Sequence, residues 1–200
     1  NNKIDFKKMI ESISSIPEND IIVLHGCCHN PTGADMTKDQ WAEITQLIKK
    51  KNLITICDFA YQGLGDGVEE DAAGVRNLIK ELDNLIICSS YSKNFGLYSE
   101  RVGCLIYHTK NLNNYSAVQS NFKRVARTIY SNPPSHGSDI VKTILSDGFL
   151  RKLWIENLDG AKNRIIDMRK ALISNLINEN CSRNFDFIAD QKGMFSFTGL

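Results

Sequence analysis

The sequence lacks a charge excess, a long apolar run and an ordered cysteine spacing. Lys and Arg number 24 and Asp and Glu 23 in 200 residues, a formal net charge of +1. Proteins that bind nucleic acid by neutralising phosphates carry a basic surplus, so no nucleic-acid partner is expected. No stretch approaches the ~18 consecutive apolar residues of a membrane span. The first residues, Asn1-Asn2-Lys3-Ile4-Asp5, do not open a signal peptide. The six cysteines, two of them adjacent, form no framework. They are expected to be free buried thiols of a reducing compartment, with Cys57, Cys88 and Cys104 inside apolar runs. A cytoplasmic location is expected on this ground, and the mitochondrial matrix fits the cysteines equally. The run His25-Gly26-Cys27-Cys28-His29 has zinc-ligating residue types. It lacks the paired cysteine spacing and a second ligand pair, so no metal is expected. Neither G-x-G-x-x-G nor G-x-x-x-x-G-K-[ST] occurs, which removes the main support for dinucleotide and P-loop readings. Ser90-x-x-Lys93 fits the S-x-x-K of penicillin-binding proteins, but the S-D-N and K-T-G strings that accompany it are absent. There is no internal repeat and no low-complexity linker.

What is present is ordinary for a folded chain: 42% hydrophobic and 24% charged residues. Short apolar runs alternate with amphipathic stretches. Ile21 to Leu24, Leu53 to Cys57, Leu85 to Cys88 and Val102 to Tyr107 read as strands. Between them, Thr37 can cap a helix with Trp41, Ile44, Leu47 and Ile48 on one side and Lys49, Lys50 and Lys51 at its negative end. Asp71 to Leu82 reads as another helix, and Asn30-Pro31-Thr32-Gly33 as a turn. Near-continuous apolar strands separated by helices predict an α/β fold, with a mostly parallel sheet covered by helices on both faces. From about Asn111 the pattern turns helical: Asn111 to Tyr130, Ser138 to Leu145, and a long stretch from Gly148 to Asn178. In the last, Leu150, Leu153, Trp154, Leu158, Ile165, Met168, Leu172 and Leu176 recur at helical spacing, a packing stripe. Phe185 to Ala189 and Met194 to Phe197 read as strands.

Ligands of open α/β sheets sit outside the carboxyl ends of the strands. Polar residues concentrate there. Asn30 follows the first strand, Asp58 and Tyr61 the second, and Ser90, Lys93 and Arg101 the third. Each alone has a plain reading, as an N-cap or a solvated loop residue. Together they supply an amine able to form a Schiff base and a carboxylate to pair with a pyridinium nitrogen. They also supply arginine and serine for a phosphate, and phenol and amide groups for a phenolate oxygen. That is the requirement of pyridoxal 5'-phosphate (PLP).

The strings HNPTGAD (His29 to Asp35), DFAYQG (Asp58 to Gly63), SYSKNFGLYSERVG (Ser90 to Gly103), SNPP (Ser131 to Pro134) and GMFSFTGL (Gly193 to Leu200) resemble the aspartate aminotransferases. The resemblance is to their eukaryotic-type and enterobacterial branch within the fold-type-I PLP-dependent transferases, and it covers essentially the whole chain. It implies that Lys93 holds PLP covalently and, once freed by substrate, moves the proton from the substrate α-carbon to the cofactor C4′. It implies that Asp58 pairs with the pyridinium nitrogen, where a nearby carboxylate raises a cation's pKa by about 1–3 units. Asn30 and Tyr61 match the residues that hydrogen-bond the phenolate oxygen, and Ser90 and Arg101 match phosphate ligands. Asn30, Arg127 and Phe195 match residues of the substrate site. Arg127 corresponds to an arginine that reaches into the neighbouring subunit for the distal carboxylate of a dicarboxylic substrate, with Ser131 near the same boundary. Phe195 corresponds to a residue lining the substrate cavity, and His25 to one in the network around Asp58.

The activity so implied converts L-aspartate and 2-oxoglutarate into oxaloacetate and L-glutamate. It is a ping-pong reaction alternating between the pyridoxal and pyridoxamine forms of the cofactor, in a homodimer with shared active sites. An aromatic amino-acid aminotransferase of the same branch shares the motifs, and a non-catalytic protein retaining the fold is the reading from another class. The family's chains extend beyond both ends of this one. Residues 1–147 are therefore expected to be part of the PLP-binding large domain. Residues 148–200 are expected to be the interdomain helix and the start of the small α+β domain. The N-terminal phosphate loop and the arginine for the substrate α-carboxylate lie outside these residues, so the isolated chain is expected to be inactive.

Overall fold

Thr37 starts the second helix as expected. Its hydroxyl accepts from the Gln40 N–H at 3.2 Å, and the Gln40 side chain accepts from the Thr37 N–H at 2.9 Å. This reciprocal capping box satisfies two amides that the helix start leaves open. The computed structural model describes residues 2–179 and 181–199. In chain order its elements are α1 (Phe6–Ser15), β1 (Ile21–His25), α2 (Lys38–Lys50), β2 (Ile54–Phe59), α3 (Ala73–Glu81), β3 (Asn84–Ser90) and β4 (Gly103–Thr109). A 3-10 turn (Leu112–Asn114) leads into α4 (Tyr115–Tyr130), followed by α5 (His136–Ser146), α6 (Gly148–Asn178) and a second 3-10 turn (Asp186–Asp190). The sheet order is β1-β2-β3-β4. The first three strands are parallel and β4 runs antiparallel to β3.

Side chains alternate across the sheet, so each strand has two populations. Ile22, Leu24, Thr55, Cys57, Leu85 and Ile87 are buried on one face. There they join Trp41, Ile44 and Ile48 of α2 and Val75 and Leu78 of α3 in the core. The helix α1, unanticipated from the sequence, packs on α2 and adds Ile13. Ile44 is fully enclosed. An Ile44→Ala substitution is expected to lower the unfolding free energy by about 2–5 kcal/mol, read by urea denaturation, the usual range for a large-to-small change in a close-packed site.

The opposite face departs from expectation. Val23 remains 60% exposed, Ile21 56% and Ile54 49%. Apolar composition on both faces predicted helices on both, but among the described residues the β1–β2 part of this face is open. Only its β4 end is approached by a helix: α4 lies over Leu105 and Tyr107 around an open cavity of about 580 Å³, with Tyr107 edge-on to Phe122.

Other boundaries shift for physical reasons. The helix expected from Asp71 starts at Ala73, because the Asp71 carboxylate is occupied by the N–H groups of Gly63, Gly65 and Asp66. The helix expected from Asn111 begins as a 3-10 turn, with the Asn111 side chain accepting from Asn113 N–H at 3.1 Å, and becomes α-helical at Tyr115. The strands expected over 185–189 and 194–197 are not strands. The first is the 3-10 turn at Asp186–Asp190, and the second joins no ladder. The long helix is α6 with the expected bounds. Its apolar stripe divides: Leu158, Trp154 and Ile165 reach the core, whereas Met168 and Leu172 face outward.

Candidate active site

Three parallel strands deliver their ends to one edge, and the antiparallel β4 starts from that same edge. Ser90, the last residue of β3, therefore pairs with Gly103, the first of β4. The Tyr91 N–H bonds to Val102 O at 3.2 Å, which returns Arg101 to the neighbourhood of Ser90. Asp58 lies inside β2, flanked in register by His25 of β1 and Cys88 of β3. By alternation His25, Asp58, Cys88 and Ser90 project from the face that α1, α2 and α3 leave open. The sheet face that α1, α2 and α3 do not cover is thus the face with the polar row.

The loop after β1 is shaped by Asp35. Its carboxylate accepts from Cys28 N–H at 2.6 Å and His29 N–H at 2.9 Å. Thr32 Oγ1 bonds His29 Nδ1 at 2.7 Å, and Asn30 N–H donates to His25 Nδ1 at 3.4 Å. The Asn30–Pro31 peptide is cis. Held this way, Asn30 Nδ2 donates to the Tyr61 hydroxyl at 3.2 Å. Tyr61 is buried. Lys93 Nζ sits 4.9 Å from the centre of its ring, and Phe195 meets that ring edge-on at 5.9 Å. An ammonium over an aromatic face is held by the ring quadrupole. Asn30, Tyr61, Lys93 and Phe195, drawn from four separate segments, therefore form one cluster.

The lysine turn has a support that the sequence reading treated only as packing. Trp154 of α6 donates its indole N–H to Asn94 O at 2.8 Å, and its ring stacks on Phe95 at 4.6 Å and 17°. Asn94 Nδ2 in turn donates to Gln62 O at 3.2 Å, joining the residue after Lys93 to the residue after Tyr61. Arg101, at a positive φ of 51°, donates to Tyr98 O at 2.8 Å. Arg127 is not brought to this cluster. It stands exposed in the last turn of α4 and donates to Ser131 Oγ at 2.6 Å. Nothing in composition or spacing marked Trp154 or Asn94 as supports, since each bond depends on a distant segment.

Two groups near the cluster have displaced acidities. Burial pushes the His29 imidazole down, His25 adds to this, and Asp35 opposes it. The folded state then binds fewer protons than the unfolded one. His29's contribution is therefore lost as pH falls from the ordinary value of 6.5 through the lower folded value. A His29→Gln variant is expected to show a flatter Tm between about pH 7.5 and 5 than the parent, read by thermal unfolding across that range. Behind the loop, Cys27, Cys28 and Asp71 bring a ligand atom each to within 4.8 Å of one another. The hydrogen bond to Cys28 and burial push the Cys27 thiol up. Asp71 already accepts from three backbone N–H groups. The trio braces the loops after β1 and β2.

Fold and site together define an α/β protein that presents an amine, a phenol and an amide in contact at the carboxyl edge of its sheet, beside a row carrying a carboxylate and a serine. The family model for aminotransferase class I and II matches residues 1–200. The chain belongs to that family. It is 44% identical over 200 residues to the aspartate aminotransferase of Escherichia coli, and 41% over 199 residues to the aromatic-amino-acid aminotransferase of Pseudomonas aeruginosa. Each comparison covers 100% of this chain and 50% of the relative. The aromatic-amino-acid aminotransferase from Burkholderia pseudomallei covalently bound to pyridoxal phosphate superposes with a TM-score of 0.96 at 42% identity. It is covered to 50%, and this chain to 100%. The cytoplasmic aspartate aminotransferase from Saccharomyces cerevisiae also gives 0.96, at 39% identity over 99% of this chain and 50% of its own. The chain spans about half the length of the relatives it matches. The fold implied by the sequence resemblance is the fold found. No helix among the described residues is long and apolar enough to cross a membrane.

Proposed function

We propose that the polypeptide containing this chain is a PLP-dependent aminotransferase exchanging the amino group between L-aspartate and 2-oxoglutarate, with oxaloacetate and L-glutamate as the products. The observation that carries this reading is Lys93 Nζ lying 4.9 Å from the ring of a tyrosine whose hydroxyl is bonded by Asn30. The donor set fits the cofactor. It offers one primary amine, an acceptor-only carboxylate in a strand, two groups suited to a phenolate oxygen, and a serine and an arginine at one sheet edge. When bound, PLP supplies a carbonyl for the amine and a ring that takes up the electrons released at the substrate α-carbon.

In this reading Lys93 binds the cofactor and later carries the α-proton. Asp58 holds a proton at the ring nitrogen. Asn30 and Tyr61 orient the phenolate oxygen, and Ser90 and Arg101 hold the phosphate. Phe195 walls the substrate space beside Tyr61. Arg127, exposed and distant from the cluster, serves the site of a second subunit, which makes a homodimer part of the proposal. Residues 1–147 then belong to the PLP-binding large domain, and residues 148–200 form the interdomain helix and the start of the small domain. A cytoplasmic location accompanies the reading.

An aromatic preference is the second reading, favoured by a relative of that name at 41% identity beside aspartate aminotransferases at 42–44%. The test is borohydride reduction of the PLP-loaded full-length protein with peptide mapping, followed by kcat/KM for aspartate and phenylalanine. A label on Lys93 and a higher value for aspartate are expected. A label elsewhere overturns the site, and a higher value for phenylalanine moves the preference to aromatic substrates.

A further inference from the structure

The chain's most enclosed arginine plays no part in the reading above. Arg169 projects from α6, is only 8% exposed, and has no carboxylate partner among the described residues. Burying a guanidinium without a counter-charge is costly, so its donors must find good acceptors. All of them lie on one short segment. Nε donates to Ser196 Oγ at 3.0 Å, and Nη2 to Gly193 O at 2.5 Å and Phe195 O at 2.8 Å. This segment joins no ladder, and at buried Gly193 the backbone carbonyl needs a donor from elsewhere. The planar fork of an arginine reaches several acceptors at once, which a lysine does not.

The other side of the segment is equally constrained. Gly193 has φ +75°, and a side chain there would collide with Cys28. Gly33 has φ +67°, and its Cβ would stand 2.6 Å from Phe195 O. Lys192 N–H donates to Gly33 O at 2.7 Å. The segment is thus pressed between α6 and the loop that carries Asn30, its backbone in contact with that loop and its carbonyls tied to Arg169. The outcome is Phe195 edge-on to Tyr61, the ring over which Lys93 lies.

Resting on the proposed aminotransferase reading, we propose that Arg169 is a positioning residue that fixes the Gly193–Ser196 backbone and so sets the place of Phe195 against Tyr61 and the width of the substrate space. Arg169 touches neither the amine nor the phenol. It acts through Phe195, as Trp154 on the same helix acts on the lysine turn through Asn94 O. One rigid helix therefore references two sides of the site to each other.

The test uses the full-length PLP-loaded enzyme with Arg169→Gln, Arg169→Lys, Phe195→Leu and the double variant Arg169→Gln/Phe195→Leu. Arg169→Gln is expected to speed amide exchange of residues 191–199 on the order of tenfold or more while β1–β3 keep theirs. It is expected to raise KM for aspartate by about tenfold, with a smaller change in kcat. Arg169→Lys, which keeps the charge but not the fork, is expected to fall between. In the Phe195→Leu background the Arg169 effect on KM should largely vanish, because both changes act on one wall. Ser196→Ala removes a single acceptor and is the milder variant should Arg169→Gln not fold. It should speed exchange at the same residues alone. Unchanged exchange over 191–199, or KM effects of Arg169 and Phe195 that simply add, overturns the proposal. A parent enzyme without transaminase activity overturns the functional reading instead, and the exchange data then still decide whether Arg169 holds the segment.

Discussion

Lys93→Ala is expected to lower the transamination rate of the full-length enzyme by about 10⁴-fold, the upper range for removing a positioned proton-transfer group, and to abolish borohydride labelling. The geometry gives the reason. Among the described residues Lys93 is the amine placed against the Tyr61 ring, and its turn is held by the Trp154 indole and by Asn94. An added small amine should restore part of the rate, because the cavity left by the lysine side chain retains Tyr61 and Asn30 around it. Measured turnover with and without such an amine separates loss of the base from loss of the fold. Retention of full activity by Lys93→Ala would remove the assigned role.

Arg127→Ala is expected to lower kcat/KM for aspartate by roughly 30- to 5,000-fold, the ~2–5 kcal/mol cost of removing one partner of a charge-assisted pair. The phenylalanine value should change far less, and PLP affinity should hardly move. The structure adds a corollary. Ser131 Oγ accepts from the Arg127 guanidinium at 2.6 Å, and Ser131 sits at φ +69° at the end of α4. The arginine is therefore pre-oriented by its own chain, which reduces the side-chain entropy lost when it binds a carboxylate. Equal aspartate kinetics in parent and variant would refute the assignment.

The parts of this protein written locally were legible in the sequence. Thr37 and Gln40 lie within one turn of each other, so their capping box follows from spacing alone. The apolar runs of β1 to β4 and the bounds of α6 follow from periodicity for the same reason. Asn30, Asp58, Tyr61, Ser90, Lys93 and Arg101 stand at strand ends, and strand ends can be counted along the chain. Residue chemistry suggested a cofactor for them as a set, and the family resemblance matched each to a particular role.

Other features needed the folded chain. Residues 194–197 have strand composition, but a strand also needs a neighbour with free backbone groups. Arg169 and the loop at Gly33 and Cys28 take up that backbone instead. Likewise, apolar residues on both faces of the sheet cannot say which helices will cover which face, since alternation sets direction and not occupancy. Trp154 and Arg169 look like any tryptophan or arginine in a helix. Their functions come from acceptors and donors brought near by chain closure, 60 residues away for Trp154 and 24 to 27 for Arg169. The sequence by itself determined most of the elements, the family and the candidate site residues, because those depend on near neighbours and residue chemistry. Tertiary structure alone decided which groups touch and what holds them there, because a hydrogen bond across distant segments is a property of the path the chain takes.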